Sequence, residues 1–221
     1  MGKHGLSTYS VPDRQWDLGI YRGPYCVRIN TKIGFPSKND GEEGTMASLP
    51  EMSFGHLGIN VINIDRMVDF YTSVLGFKVT DRGSVRDGNT LVFLSRNPEE
   101  HHQIVMADTR NEGEPSTINQ ISFRVNDFAQ VRQAYDHAVA AGVEGIEPVD
   151  HGSALSVYFR DPEGNRLEVY MATPWYIAQP HRQLIDFDKS DEEVWKACEE
   201  KCLADPTYQP MDEWKAAFAA S

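Results

Sequence analysis

Four polar side chains, His56, His102, Gln120 and Glu168, are spaced as two copies of one structural unit would space them. Two imidazoles, a carboxylate and an amide are donors that suit a divalent metal ion. His56 lies in Phe54-Gly55-His56-Leu57-Gly58-Ile59-Asn60-Val61, and Gln120 in the similar Ile118-Asn119-Gln120-Ile121-Ser122-Phe123-Arg124-Val125. The separations agree, with 64 residues from His56 to Gln120 and 66 from His102 to Glu168. A duplication that keeps such positions is expected to turn all four toward a shared cavity.

The elements that must hold them follow from periodicity. Leu57, Ile59 and Val61 alternate with His56, Gly58 and Asn60, which predicts a strand over 55–61 with one apolar and one polar face. Asp65 can cap a helix carrying Met67, Phe70, Tyr71, Val74 and Leu75, and Gly76 supplies its stop. Strands are predicted at 77–81, 90–95 and 102–107. The second unit repeats the order, with a strand at 118–125 and a helix capped by Asp127 that carries Phe128, Val131, Ala134, Tyr135 and Ala138. Strands at 145–149, 153–160 and 166–171 follow, the last two joined by the turn Asp161-Pro162-Glu163-Gly164-Asn165. Arg166, Glu168 and Tyr170 share one face of the final strand, opposite Leu167, Val169 and Met171. A carboxylate on an inner face needs a partner, either a cation or an arginine such as Arg124 or Arg166.

The expected fold class is therefore α+β: two tandem β-α-β-β-β modules, about 52–110 and 116–175, forming a curled cup over 51–175. Residues 1–50, rich in Gly, Pro, Ser and charge, read as an extension whose Tyr9, Trp16, Tyr21 and Tyr25 could wrap the domain. Residues 176–221 read as a helical appendage, entered through the capping box Ser190-Asp191-Glu192-Glu193.

Composition narrows the function. The net charge of −12 over 221 residues speaks against nucleic acid, which needs a basic footprint. No apolar run is long enough to span a membrane, and no secretory signal is apparent. Cys26, Cys198 and Cys202 read as reduced thiols, so a cytoplasmic location is expected.

On His56, the tandem order and the run from Asp161 through Tyr170, residues 52–175 resemble the vicinal oxygen chelate superfamily. That superfamily includes glyoxalase I, the fosfomycin and bleomycin resistance proteins, and the type I extradiol ring-cleaving dioxygenases. The dioxygenases are the most similar: His102-Gln103-Ile104-Val105 stands where they have an acid–base strand, Tyr158 stands ten residues before Glu168, and His151-Gly152 precedes that tyrosine. The resemblance implies His56, Gln120 and Glu168 as metal ligands, His102 as acid–base catalyst, and His151 and Tyr158 bonding substrate oxygens. Gln120 departs from the pattern, which has histidine there. Either Gln120 ligates through its amide oxygen, or His102 joins His56 and Glu168 on the metal.

What the resemblance implies is a mononuclear metal enzyme acting on a catechol-like aromatic, with Fe(II) expected and Mn, Zn or Ni as alternatives. A redox-neutral lyase, isomerase or epimerase acting on a dicarbonyl substrate is the first alternative, and a non-catalytic ligand-binding protein of the resistance type is the second. A homo-oligomer is expected. Each site residue also has a plainer reading: His56 as a satisfied strand histidine, Gln120 as a strand-bridging amide, Tyr158 as packing, His151 as an exposed loop residue. His4, His137 and His181 read as solvent residues, and Trp175 and Tyr176 either as pocket wall or as packing.

Overall fold

A computed structural model of the chain describes residues 50–85 and 88–220. The expectations for residues 1–49, including Cys26 and His4, lie outside the described residues. Met52–Ser221 forms one compact unit.

The first module runs β1 (Leu57–Asn60), α1 (Ile64–Ser73), β2 (Lys78–Ser84), β3 (Thr90–Ser95) and β4 (Ile104–Ala107). Its sheet has the order β1-β4-β3-β2, with β1 parallel to β4 so that Leu57 pairs with Ile104. The second module repeats it with β5 (Gln120–Arg124), α2 (Phe128–Ala140), β6 (Glu147–Asp150), β7 (Ala154–Arg160) and β8 (Arg166–Ala172). Here β5 runs parallel to β8, which places Ser122 opposite Glu168. The fold is the expected α+β pair of tandem β-α-β-β-β modules.

Burial follows the alternation in the sequence. Ile59 and Val61 are buried while His56, Gly58 and Asn60 are exposed. Met67 and Tyr71 of α1, with Phe128, Val131 and Ala138 of α2, join the strand residues Val92, Leu94, Met106, Val157 and Leu167 in one buried cluster. Because each helix takes the apolar face of its sheet, the polar faces of β1 and β5 are left for chemistry.

Local chemistry sets the boundaries. Helix α1 is capped by Asn63, whose side chain accepts from the Arg66 amide at 3.0 Å, and not by Asp65, which lies in the first turn. Asp127 caps α2 as expected. Gly76 and Gly142 stop the helices at φ 69° and 70°, the left-handed region that favours glycine.

The turn Asp161–Asn165 ties the modules together. The Glu163 carboxylate accepts from the amides of Ile62 and Asn63 at 2.8 and 2.7 Å and pairs with Arg110 at 2.5 Å. Beneath it, Tyr71 donates to Asp161 at 3.3 Å, and burial pushes both groups' pKa values up.

Beyond β8 come β9 (Trp175–Tyr176), β10 (Gln183–Leu184), α3 (Asp191–Ala204), β11 (Gln209–Pro210) and α4 (Met211–Ala219). The capping box at Ser190 and Glu193 is formed. Strand β10 extends the second sheet along β6, and Val194, Cys198 and Cys202 of α3 enter the core. Trp175 packs on Trp195 and Tyr176 stacks on Trp214, so both aromatics face the C-terminal helices. No helix among the described residues is long and apolar enough to cross a membrane.

Candidate active site

The six sequence-predicted residues fall into two groups. His56 and His102, each just ahead of a strand of the first sheet, have ring centroids 4.2 Å apart, and Phe93 packs edge-on against His102. His101, next in the chain, turns its Nε2 to Asp81 at 3.0 Å and its Nδ1 to His102 Nδ1 at 3.0 Å. Desolvation, then the neighbouring His56, lower the pKa of His102 from the ordinary histidine value. That favours a neutral ring able to take up a proton.

Gln120, Glu168, Tyr158 and His151 make the second group. Glu168 is 7% exposed, and hydroxyl and amide donors surround its carboxylate. Oε1 accepts from Tyr158 at 2.6 Å and Ser156 at 2.7 Å, and Oε2 accepts from Ser122 at 2.5 Å and Gln120 Nε2 at 3.2 Å. The arginine partners considered from sequence are not used: Arg166 lies over the Tyr158 ring, 3.9 Å from its centroid. Burial first, then the hydrogen bond to Glu168, raise the pKa of the Tyr158 phenol, so it stays protonated. His151 Nε2 lies 2.8 Å from the phenol oxygen and 4.0 Å from Glu168 Oε1. A carboxylate, a phenol and an imidazole thus stand in a hydrogen-bonded row, an arrangement through which a proton can move.

Strand geometry explains the second group. Gln120 and Ser122 are two apart on β5, Ser156 and Tyr158 two apart on β7, and β7 pairs Tyr158 with Glu168 on β8. Residues two apart share a face, so side chains from two strands converge on one carboxylate of the third. The sequence reading missed Ser122 and Ser156 as carboxylate donors, although their period-two relation to Gln120 and Tyr158 was available. It also read His181 as a solvent residue, whereas the His181 carbonyl lies 2.7 Å from His151 Nδ1.

Imidazole, carboxylate and amide oxygen are the donor types a borderline or hard divalent ion takes, so the residues fit such an ion in kind. Turning the Gln120 amide end for end would present its oxygen in place of its NH₂ group. Within one chain the two groups stand apart, for no three His, Cys, Asp or Glu residues among those described lie close enough together to hold an ion.

The family model described as Glyoxalase/Bleomycin resistance protein/Dioxygenase superfamily matches residues 53–169. Biphenyl-2,3-diol 1,2-dioxygenase 2 of Rhodococcus globerulus is 26% identical over 121 residues, which span 52% of this chain and 60% of that protein. Lactoylglutathione lyase of Neisseria meningitidis serogroup A is 25% identical over 118 residues, covering 51% of this chain and 86% of the lyase. Manganese-dependent 2,3-dihydroxybiphenyl 1,2-dioxygenase of Geobacillus genomosp. 3 is 26% identical over 120 residues, covering 53% and 36%. The chain thus spans under two thirds of either dioxygenase.

Proposed function

Because the chain belongs to the Glyoxalase/Bleomycin resistance protein/Dioxygenase superfamily, we propose that it is a mononuclear metal enzyme of the extradiol dioxygenase type, acting on a catechol-like aromatic. His56, Gln120 and Glu168 are its metal ligands. The two half-sites meet between copies of the chain, His56 and His102 of one facing the partner's Gln120 and Glu168. A divalent ion held by these residues, Fe(II) or Mn(II), would supply Lewis-acid and redox chemistry.

This chain's own residues supply the rest. His102, kept neutral by its surroundings, takes a proton from the substrate hydroxyl and returns it at a later step. Tyr158 and His151 bond the substrate's other oxygen. The observation that carries the reading is the row Glu168–Tyr158–His151, with contacts of 2.6 and 2.8 Å. A buried carboxylate that served only packing would need no phenol and imidazole lined up beside it.

One observation favours a second reading. Gln120 gives the site an amide where a second imidazole would stand, and a harder donor set suits redox-neutral polarisation of a carbonyl or enolate. In that lyase reading His102 shuttles a proton at carbon.

The test is metal content and catechol-dependent O₂ uptake of protein purified anaerobically. Bound iron or manganese with O₂ consumption supports ring cleavage. Metal without O₂ uptake, together with turnover of a dicarbonyl thiol adduct, would replace it with the lyase reading. In the same assay His102→Ala is expected to lower kcat by roughly 10²–10⁴-fold with metal content intact.

A further inference from the structure

Residues past 169 lie outside the family match, yet they hold the imidazole at the end of the row. His151 Nδ1 meets the His181 carbonyl at 2.7 Å. A carbonyl only accepts, so Nδ1 carries the proton, and in the neutral ring the Nε2 lone pair faces Tyr158, whose single O–H serves either Nε2 or Glu168 Oε1. Gln179 closes the loop around this contact: its Nε2 donates to the His151 carbonyl at 2.8 Å, and its Oε1 accepts from the His181 amide at 3.0 Å.

The base of the loop is fixed as well. Gly152 sits at φ 74°, and a Cβ there would overlap the Ile177 side chain. Its amide donates to Asp150 Oδ1 at 2.6 Å, and its carbonyl accepts from Thr173 Oγ1 at 2.6 Å. Asp150 is paired with Lys201 of α3 and accepts from the Cys198 thiol at 3.3 Å. Burial raises the pKa of that thiol, so it stays an S–H donor and not a reactive thiolate. Polar groups of the C-terminal segment therefore converge on the Asp150 carboxylate, on the carbonyls of His151 and Gly152, and on one ring nitrogen.

We propose that residues 177–202 are a positioning device for His151, in which Gln179 and the His181 carbonyl fix the imidazole as its Nδ1–H tautomer and aim Nε2 at Tyr158. The catalytic meaning of that tautomer rests on the function proposed above; the tautomer itself does not. Gln179 is a positioning residue here and touches no reacting atom.

The experiment is ¹⁵N-detected histidine tautomer spectroscopy on the metal-free full chain at alkaline pH, with His151 assigned by its loss in His151→Gln. The expected result is a pure Nδ1–H signal for His151 in the native chain. In Gln179→Ala an Nε2–H population should appear, with an unfolding midpoint close to native because Gln179 is exposed. Catechol turnover of that variant should fall about 10-fold in kcat with KM little changed, the scale seen when an orienting partner is lost. An Nε2–H tautomer in the native chain overturns the proposal whatever the activity. An unaltered tautomer in Gln179→Ala overturns the part assigned to Gln179. A native Nδ1–H signal in a chain without catechol turnover upholds the device and removes the dioxygenase reading alone.

Discussion

Replacing Glu168 by alanine is expected to abolish stoichiometric metal binding and turnover together, and His56→Ala is expected to do the same from the other half-site. Glu168 is the one charged donor in the proposed ligand set, so its loss should exceed the roughly 10–100-fold typical of outer-shell changes. The fold should survive in both variants. His56 is exposed, and in Glu168→Ala the phenol of Tyr158 can redirect its proton to His151 Nε2, 2.8 Å away. The exposed Ser122 can then turn to water, whereas the buried Ser156 hydroxyl loses its acceptor, at about 1–3 kcal/mol. Metal analysis beside a circular dichroism melt separates the two effects. Full metal occupancy in either variant would remove that residue from the ligand set.

Glu163→Ala is expected to give the largest loss of stability, about 3–5 kcal/mol, because it breaks a buried ion pair from one side. The side chains of Arg110 and Glu163 are 7% and 5% exposed. Without the carboxylate the buried Arg110 guanidinium loses its ion-pair partner, and the amides of Ile62 and Asn63 lose the acceptor they share. Those amides lie between β1 and α1, so the change also loosens the strand that follows His56. Glu163→Gln keeps an acceptor and the shape, and should cost less. Urea unfolding of the three proteins checks the order, and a Glu163→Ala midpoint within error of native would show that the turn does not join the modules.

The sequence made the strand faces legible because each module alternates apolar and polar residues. Ile59 and Val61 went inward and His56 stayed out for the reason their spacing gave. Three kinds of feature were hidden. The helix cap fell to Asn63 because its side chain reaches the Arg66 amide, a choice between neighbouring polar residues that composition leaves open. Strands β9, β10 and β11 are two residues long, too short to show any period. Glu163 was read only as turn chemistry, since its partners are amides about 100 positions away, and backbone groups carry no residue signature. The His181 carbonyl escaped notice for the same reason. Around the site, residue types named the donors, but only the paired strands revealed how many hydroxyls already converge on Glu168.

In the proposed dimer, His56 of one chain and Glu168 of the partner subunit would serve one metal ion. Co-refolding His56→Ala with Glu168→Ala in equal amounts tests it most directly, because neither variant alone should hold metal. In a mixed dimer one site joins two intact halves and the other joins two damaged ones. Random pairing should therefore restore about one quarter of the native metal content and activity, as expected for a heterologously completed symmetric pair. Metal and turnover no higher in the mixture than in either parent would contradict a site shared between chains.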